Sequence, residues 1–172
     1  MSTVFLVETD PTAPSLELVN PHPALTRFEG DRKPGFSPTK PLEVRASAIP
    51  ENPFAFFRFA PGAHVVREDA MQLCEDFYWV AIQGTEPLSL QCGDVEFFII
   101  NIVDWVSAPQ PGVPGAPPCP VDTHYKALLR IEGTAPGSLY CVSGLGTPMN
   151  EFKGVYDRYG FSGLRFTPIW QG

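Results

Sequence analysis

The sequence predicts an α+β protein with a single domain, a mainly antiparallel or mixed sheet of about six to seven strands, and two principal helices. Three observations support this fold class. The 172 residues fit one domain, and 44% of them are hydrophobic, enough to form a core. Two segments with helical periodicity stand among about seven strand-like segments, without regular β-α-β alternation. We therefore treat residues 1–172 as one domain.

The predicted strands are short apolar runs that lie between proline and glycine breaks. Residues 95–105 are apolar at both odd and even positions, which predicts a central strand covered on both faces. Along residues 125–132 the alternation predicts that Leu129 and Ile131 face the core, whereas Leu128 and Arg130 face largely outward. The seven predicted strands are 4–8, 42–46, 55–59, 95–105, 125–132, 139–142 and 163–169.

Residues 65–81 are predicted to form one amphipathic helix, because winding them at about 100° per residue separates apolar from acidic side chains. The apolar side carries Val66, Ala70, Leu73, Cys74, Phe77, Val80 and Ala81. The opposite side, called the acidic surface below, carries Glu68, Asp69, Gln72, Glu75, Asp76 and Trp79. Arg67 is expected to project outside this surface. The surface is either ordinary solvated surface or a docking surface for a basic partner. Trp79 favours docking, since tryptophan is a common anchor of interfaces.

A second helix is predicted over residues 148–159. Thr147 is the expected N-cap, Pro148 suits the first turn, and Gly160 can adopt the left-handed conformation that ends a helix. The preceding residues 143–146, Ser-Gly-Leu-Gly, match neither a nucleophile elbow nor a dinucleotide fingerprint, so we expect a tight turn there. The proline-rich segment 108–120 is predicted to be a surface loop.

Composition narrows the classes of partner. The net charge of −7 disfavours nucleic acid and anionic membrane and favours a basic partner. No apolar run reaches the roughly 18 residues that span a bilayer. The first ten residues lack a basic region before their apolar run, so a cytoplasmic location is expected. The four cysteines, Cys74, Cys92, Cys119 and Cys141, are widely spaced, which predicts reduced thiols rather than a zinc or redox site.

No residue pattern requires catalysis, a metal or a cofactor, and we expect none of them. The histidines His22, His64 and His124 lack the close spacing that places two imidazoles on one metal. The alternative hypothesis is a small-molecule-binding domain or small enzyme with a histidine-containing pocket, in which His64, Arg58, Asp94 and His124 converge.

The C-terminal third resembles a known family. A strand at residues 138–142, a short helix, and the segment 159–170, which contains Gly163-Leu164-Arg165-Phe166-Thr167-Pro168, are similar to the closing block of bacterial immunity proteins of polymorphic toxin systems. More narrowly, the chain resembles immunity family eleven, in which a helix leads to a Gly-Leu-x-Phe-x-Pro-like terminal strand. The apolar segment 97–104, which ends in Asp104, is similar to a strand of that family.

This resemblance implies a non-enzymatic cytoplasmic protein that binds a cognate toxin domain, often a nuclease. Nucleases present basic surfaces to phosphates, and an inhibitor can meet such a surface with carboxylates. The acidic surface is the leading candidate for this contact, and Asp94, Glu96 and Asp104 are a second choice. A further alternative is a scaffold subunit that forms a homodimer through the first helix.

Overall fold

The computed structural model describes residues 2–29, 38–82, 86–107 and 128–171. Eleven strands and three α-helices lie in these ranges, so the predicted α+β class is confirmed. The strands are β1 (Thr3–Thr9), β2 (Leu16–Leu18), β3 (Leu42–Ala46), β4 (Phe56–Phe57), β5 (His64–Arg67), β6 (Leu88–Cys92), β7 (Val95–Ile100), β8 (Trp105–Val106), β9 (Arg130–Ile131), β10 (Leu139–Ser143) and β11 (Leu164–Gln171). The α-helices are α1 (Glu68–Leu73), α2 (Glu75–Ile82) and α3 (Phe152–Arg158), and short 3-10 helices lie at Pro23–Leu25 and Pro148–Asn150.

The strands of the described residues form three sheets. A six-stranded mixed sheet has the order β2-β3-β6-β7-β5-β4, in which only β3 and β6 run parallel. A three-stranded antiparallel sheet has the order β10-β1-β11. The third sheet is the short parallel pair β8 and β9. The strand count exceeds the prediction because β2 and β6 were not recognised, because the residues of β5 were assigned to a helix, and because β7 and β8 replace the one predicted strand 95–105.

Strand β7 is central and is covered on both faces, as its sequence predicts. Phe97 and Ile99 pack into one hydrophobic cluster, together with Phe57 and Leu90 from neighbouring strands. Ile100 belongs to a second cluster, which contains α2 and α3. Alternate side chains along a strand point to opposite faces, so an apolar run of both parities supplies two cores.

The predicted strand 95–105 is wrong in its second half, because β7 ends at Ile100. Residues 101–104 are buried but are not in a sheet. Their backbone groups bond elsewhere: the Val103 amide donates to the carbonyl of Ala81 at 2.8 Å, and the carbonyl of Ile102 accepts from Arg130 Nε at 2.7 Å. These bonds replace the ladder that a longer strand would need.

The alternation predicted for residues 125–132 is corrected where the structure describes it. Leu129 and Ile131 are buried as expected, but Leu128 and Arg130 are buried as well. The neighbouring segments cover both sides of this chain, so period-two patterning does not separate core from solvent here. Residues 125–127 lie outside the described ranges, as do His124, Cys119 and the predicted loop 108–120.

The single helix predicted over residues 65–81 is also corrected. Its first residues, including the buried Val65 and Val66, form β5 and pair with β7. The rest is divided into α1 and α2 at Cys74, whose backbone (φ −106°, ψ 11°) departs from helical geometry. The pattern of a short apolar segment fits either a strand or a helix. Residues 64–67 form a strand because they pair with one edge of β7.

The second predicted helix is interrupted at its start. Pro148–Asn150 forms a 3-10 turn with Thr147 at its N-cap position, and the extended Glu151 separates that turn from α3. Gly160 adopts a φ of +66° just beyond α3, as predicted for a helix end. Of the helices in the described ranges, none is both long and apolar enough to cross a bilayer.

Candidate functional site

The acidic surface lies on α1 and α2. Every member whose side chain the structure describes is exposed: Glu68, Asp69, Gln72, Glu75 and Asp76. The side chain of Trp79 lies outside the described part of the structure, although its backbone belongs to α2. The outward display of the four carboxylates is therefore confirmed, whereas their binding role stays a prediction.

The division at Cys74 explains how the fold accommodates four neighbouring carboxylates. Glu68 and Asp69 lie in the first turn of α1, and Glu75 and Asp76 lie in the first turn of α2. The amides at a helix N-terminus carry partial positive charge, so acidic side chains stabilise that position.

Buried side chains fix the orientation of both helices. Ala70, Cys74, Tyr78 and Ala81 recur at helical spacing and are almost fully buried against the β7 and α3 side of the core. Burial raises the pKa of the Cys74 thiol to about 12, so Cys74 acts as a small apolar residue. The apolar stripe points inward, and the acidic surface consequently points outward.

Two details of the acidic surface differ from the sequence prediction. Arg67 does not stand apart from it, because its Nη2 atom lies 3.8 Å from the Oδ2 atom of Asp69. Leu73, predicted to be buried, is 37% exposed, and Tyr78 occupies a core position instead. The buried stripe of Ala70, Cys74, Tyr78 and Ala81 keeps one helical phase, and Leu73 lies at its margin, so the predicted apolar side was centred too far toward Leu73.

The second-choice acidic residues do not form a common surface. Asp94 is exposed in the turn between β6 and β7, and the half-buried Glu96 accepts a hydrogen bond from the Ser89 hydroxyl. Asp104 is buried, and its backbone carbonyl accepts a hydrogen bond from the Arg130 amide at 2.7 Å. Asp104 is thus unavailable to a partner at the surface.

The histidines in the described residues occupy separate structural positions. His22 Nδ1 accepts from the Ala24 amide at 3.2 Å and caps a 3-10 turn. His64 is 2% exposed, and its Nε2 atom lies 2.9 Å from the Tyr78 hydroxyl. Burial lowers the pKa of His64 to about 3, so the ring is neutral near pH 7. Within the described residues, no group of three His, Cys, Asp or Glu side chains is arranged to hold a metal ion.

The predicted histidine pocket does not assemble around the residues named for it. Arg58 lines an open groove of about 440 Å³, whose walls are residues 6–9, 58–63 and 136–139. His64 and Asp94 are not among these residues, and His124 lies outside the described ranges. The groove is therefore a separate feature, which the sequence did not indicate beyond the single residue Arg58.

Glu151 is a buried charged residue that sequence reasoning missed. Its carboxylate accepts hydrogen bonds from the amides of Gly144, Leu145 and Gly146 at 2.7–3.0 Å. Gly144 has a φ of +84°, which helps the successive amides to converge on one acceptor. Residues 143–146 thus form the predicted tight turn, and the turn is closed by an internal carboxylate. The available signal was the pair of glycines followed by an acid a few residues later.

Replacing Glu151 by glutamine is expected to lower the free energy of unfolding by about 1.5 kcal/mol, because the negative charge is lost and one of the two acceptor oxygens becomes an NH2 donor that faces a backbone amide. Urea denaturation followed by circular dichroism measures this change. Glu43→Gln, at an exposed position of β3, serves as the matched control and should change little. Equal midpoints for the two variants would contradict the structural role of Glu151.

Comparison of the sequence with protein-family models gives no match, and comparisons with curated proteins and with solved structures give none either.

Proposed function

We propose that this protein is a cytoplasmic, non-enzymatic immunity protein that binds and neutralises a cognate toxin domain of the basic nuclease type. The observation that carries the proposal is the exposure of four carboxylates on α1 and α2. The resemblance of the C-terminal block to immunity family eleven supports the same function. The net charge of −7 adds a long-range attraction toward a basic partner.

The acidic surface suits this partner for two physical reasons. Its carboxylates accept charge-assisted hydrogen bonds from lysine and arginine, the residues with which nucleases hold phosphates. The exposed Leu73 adds apolar area next to Gln72. Charges mainly speed the association of two proteins, whereas burial of apolar area adds affinity to the complex. Arg67 contacts one of the four carboxylates, so negative charge remains in excess.

The direct test uses the toxin domain that this proposal expects to be encoded beside the gene of this chain. A variant with Glu68→Gln, Asp69→Asn, Glu75→Gln and Asp76→Asn retains side-chain shape but removes four charges. We expect its Kd for the toxin domain to rise about thirtyfold, since each charge contributes a fraction of a kcal/mol to association. Isothermal titration at two salt concentrations measures the loss, and co-expression measures the protection of growing cells.

The matched control neutralises four exposed acids elsewhere: Glu17→Gln, Glu43→Gln, Glu86→Gln and Asp94→Asn. It changes the net charge equally, so it should retain binding within a few-fold. A fourfold lysine replacement on the acidic surface then tests charge reversal. Circular dichroism must show both sets folded, because acids in a first helical turn also stabilise the helix. Unchanged protection by the folded surface variants would refute the assignment.

A further inference from the structure

The groove lined by Arg58 is distinct from the acidic surface. It lies between the end of β1, the segment that joins β4 to β5, and the turn before β10, and no member of the acidic surface lines it. Its volume of about 440 Å³ falls within the range of small-molecule sites. The residues that line it include the apolar Leu6, Phe59 and Ala60 and a few polar residues, whereas the side chain of Leu139 packs into the core.

One wall of the groove is fixed by buried contacts. The carbonyl of Pro61 accepts from the Phe28 amide at 2.9 Å, and the carbonyl of Gly62 accepts from Arg130 Nη2 at 3.3 Å. Gly62 and Gly137 approach so closely that a Cβ atom on Gly62 would lie 2.9 Å from the Gly137 Cα atom. These contacts hold the two lining segments together, so the groove exists before any ligand enters.

Arg58 is held in place at both its backbone and its side chain. Its amide donates to the carbonyl of Pro14, and its carbonyl accepts from the Leu16 amide, both at 2.8 Å. Its Nε atom donates to the carbonyl of Ala13 at 2.7 Å. The guanidinium is thus anchored through one nitrogen. Its two terminal nitrogens make no hydrogen bond to the residues that the structure describes, and they remain available to an acceptor in the groove.

The charge near the groove narrows the ligand class. Glu8 also lines the groove, and its Oε2 atom lies 3.3 Å from Arg165 Nη2, which offsets its negative charge. A guanidinium with two free amino groups matches the planar, two-oxygen geometry of a carboxylate. The neighbouring Glu8 disfavours a multiply charged anion such as phosphate, and the apolar walls favour an aliphatic or aromatic body.

We propose that this groove binds a small organic monocarboxylate, with its carboxylate on Arg58 and its apolar body along Phe59. The contact is noncovalent, and it is independent of the acidic surface and of the proposed function.

The test titrates hexanoate into the full-length ¹⁵N-labelled chain and follows amide chemical shifts. We expect saturable shifts at Gly62, Gly137 and Ser138, with a Kd of roughly 1 mM for a ligand of this size. Arg58→Gln should weaken binding about tenfold, because the charge-assisted contact is lost. Arg45→Gln, at an exposed position of β3 outside the groove, removes the same charge and should leave the Kd unchanged.

Hexanol, hexylamine and inorganic phosphate test the ligand class on the unaltered chain, so the conclusion does not depend on the folding of a variant. Each of these compounds should bind the groove with a Kd at least tenfold higher than the Kd of hexanoate, measured from the same amide shifts. Absence of saturable shifts with hexanoate would overturn the site. Equal binding of hexanol would overturn the role of Arg58, and tighter binding of phosphate would overturn the carboxylate assignment.

Discussion

Replacing Arg130 by methionine is expected to lower the free energy of unfolding by about 4 kcal/mol. Arg130 is fully buried, and its Nε atom donates to the carbonyl of Ile102 at 2.7 Å. Its Nη2 atom lies within 3.5 Å of the carbonyls of Gly62 and Phe28. Three segments distant in sequence are therefore joined through one guanidinium. Methionine fills a similar volume but leaves all three carbonyls without this donor.

Chemical denaturation of purified variants measures the effect, and Arg165→Met is the matched control. Arg165 is exposed and forms a surface ion pair with Glu8, so its replacement should cost less than about 1 kcal/mol. Arg130→Lys separates charge from geometry, because an ammonium cannot reproduce the planar set of donors. We expect it to be destabilised as well. Equal midpoints for Arg130→Met and Arg165→Met would show that the buried guanidinium is dispensable.

Acidification from about pH 7.5 to about pH 4 is expected to remove roughly 3 kcal/mol of stability through His64 alone. Burial lowers the pKa of His64 to about 3 in the folded state, whereas the unfolded value is about 6.5. Between these two pKa values the imidazole is protonated in the unfolded chain, whereas the buried ring of the folded chain stays neutral. The contribution is fully present above the unfolded pKa, and it declines as the pH falls toward the folded pKa of about 3, by about 1.4 kcal/mol per pH unit.

His64→Gln isolates this contribution, because an amide can still hydrogen-bond to the Tyr78 hydroxyl but does not titrate. The difference in unfolding free energy between this variant and the natural chain, measured across the pH range, should shrink or change sign in acid. His22→Gln is the control, since it introduces the same amide at a partly exposed turn residue and leaves the buried His64 in place. Parallel pH profiles for His64→Gln and the natural chain would contradict the prediction.

Local sequence patterns did not predict the burial of Arg130 or the strand position of His64. Arg130 was predicted to face outward because arginine is mostly exposed and strands alternate. It is buried because carbonyls from three separate segments converge on it, which no local pattern encodes. His64 stands in a short apolar segment that fits a strand or a helix, and its pairing with Ile100 resolves the ambiguity.

Local sequence patterns suffice to predict the α+β class, the strand Leu42–Ala46, the central two-faced strand at Val95–Ile100 and the exposure of the acidic side chains between residues 68 and 76. These features follow from local periodicity and from the cost of burying charge. Packing in three dimensions fixes the break at Cys74, the burial of Arg130 and Glu151, and the groove at Arg58. Each of these depends on contacts between segments far apart in sequence, where the partner rather than the local pattern fixes the conformation.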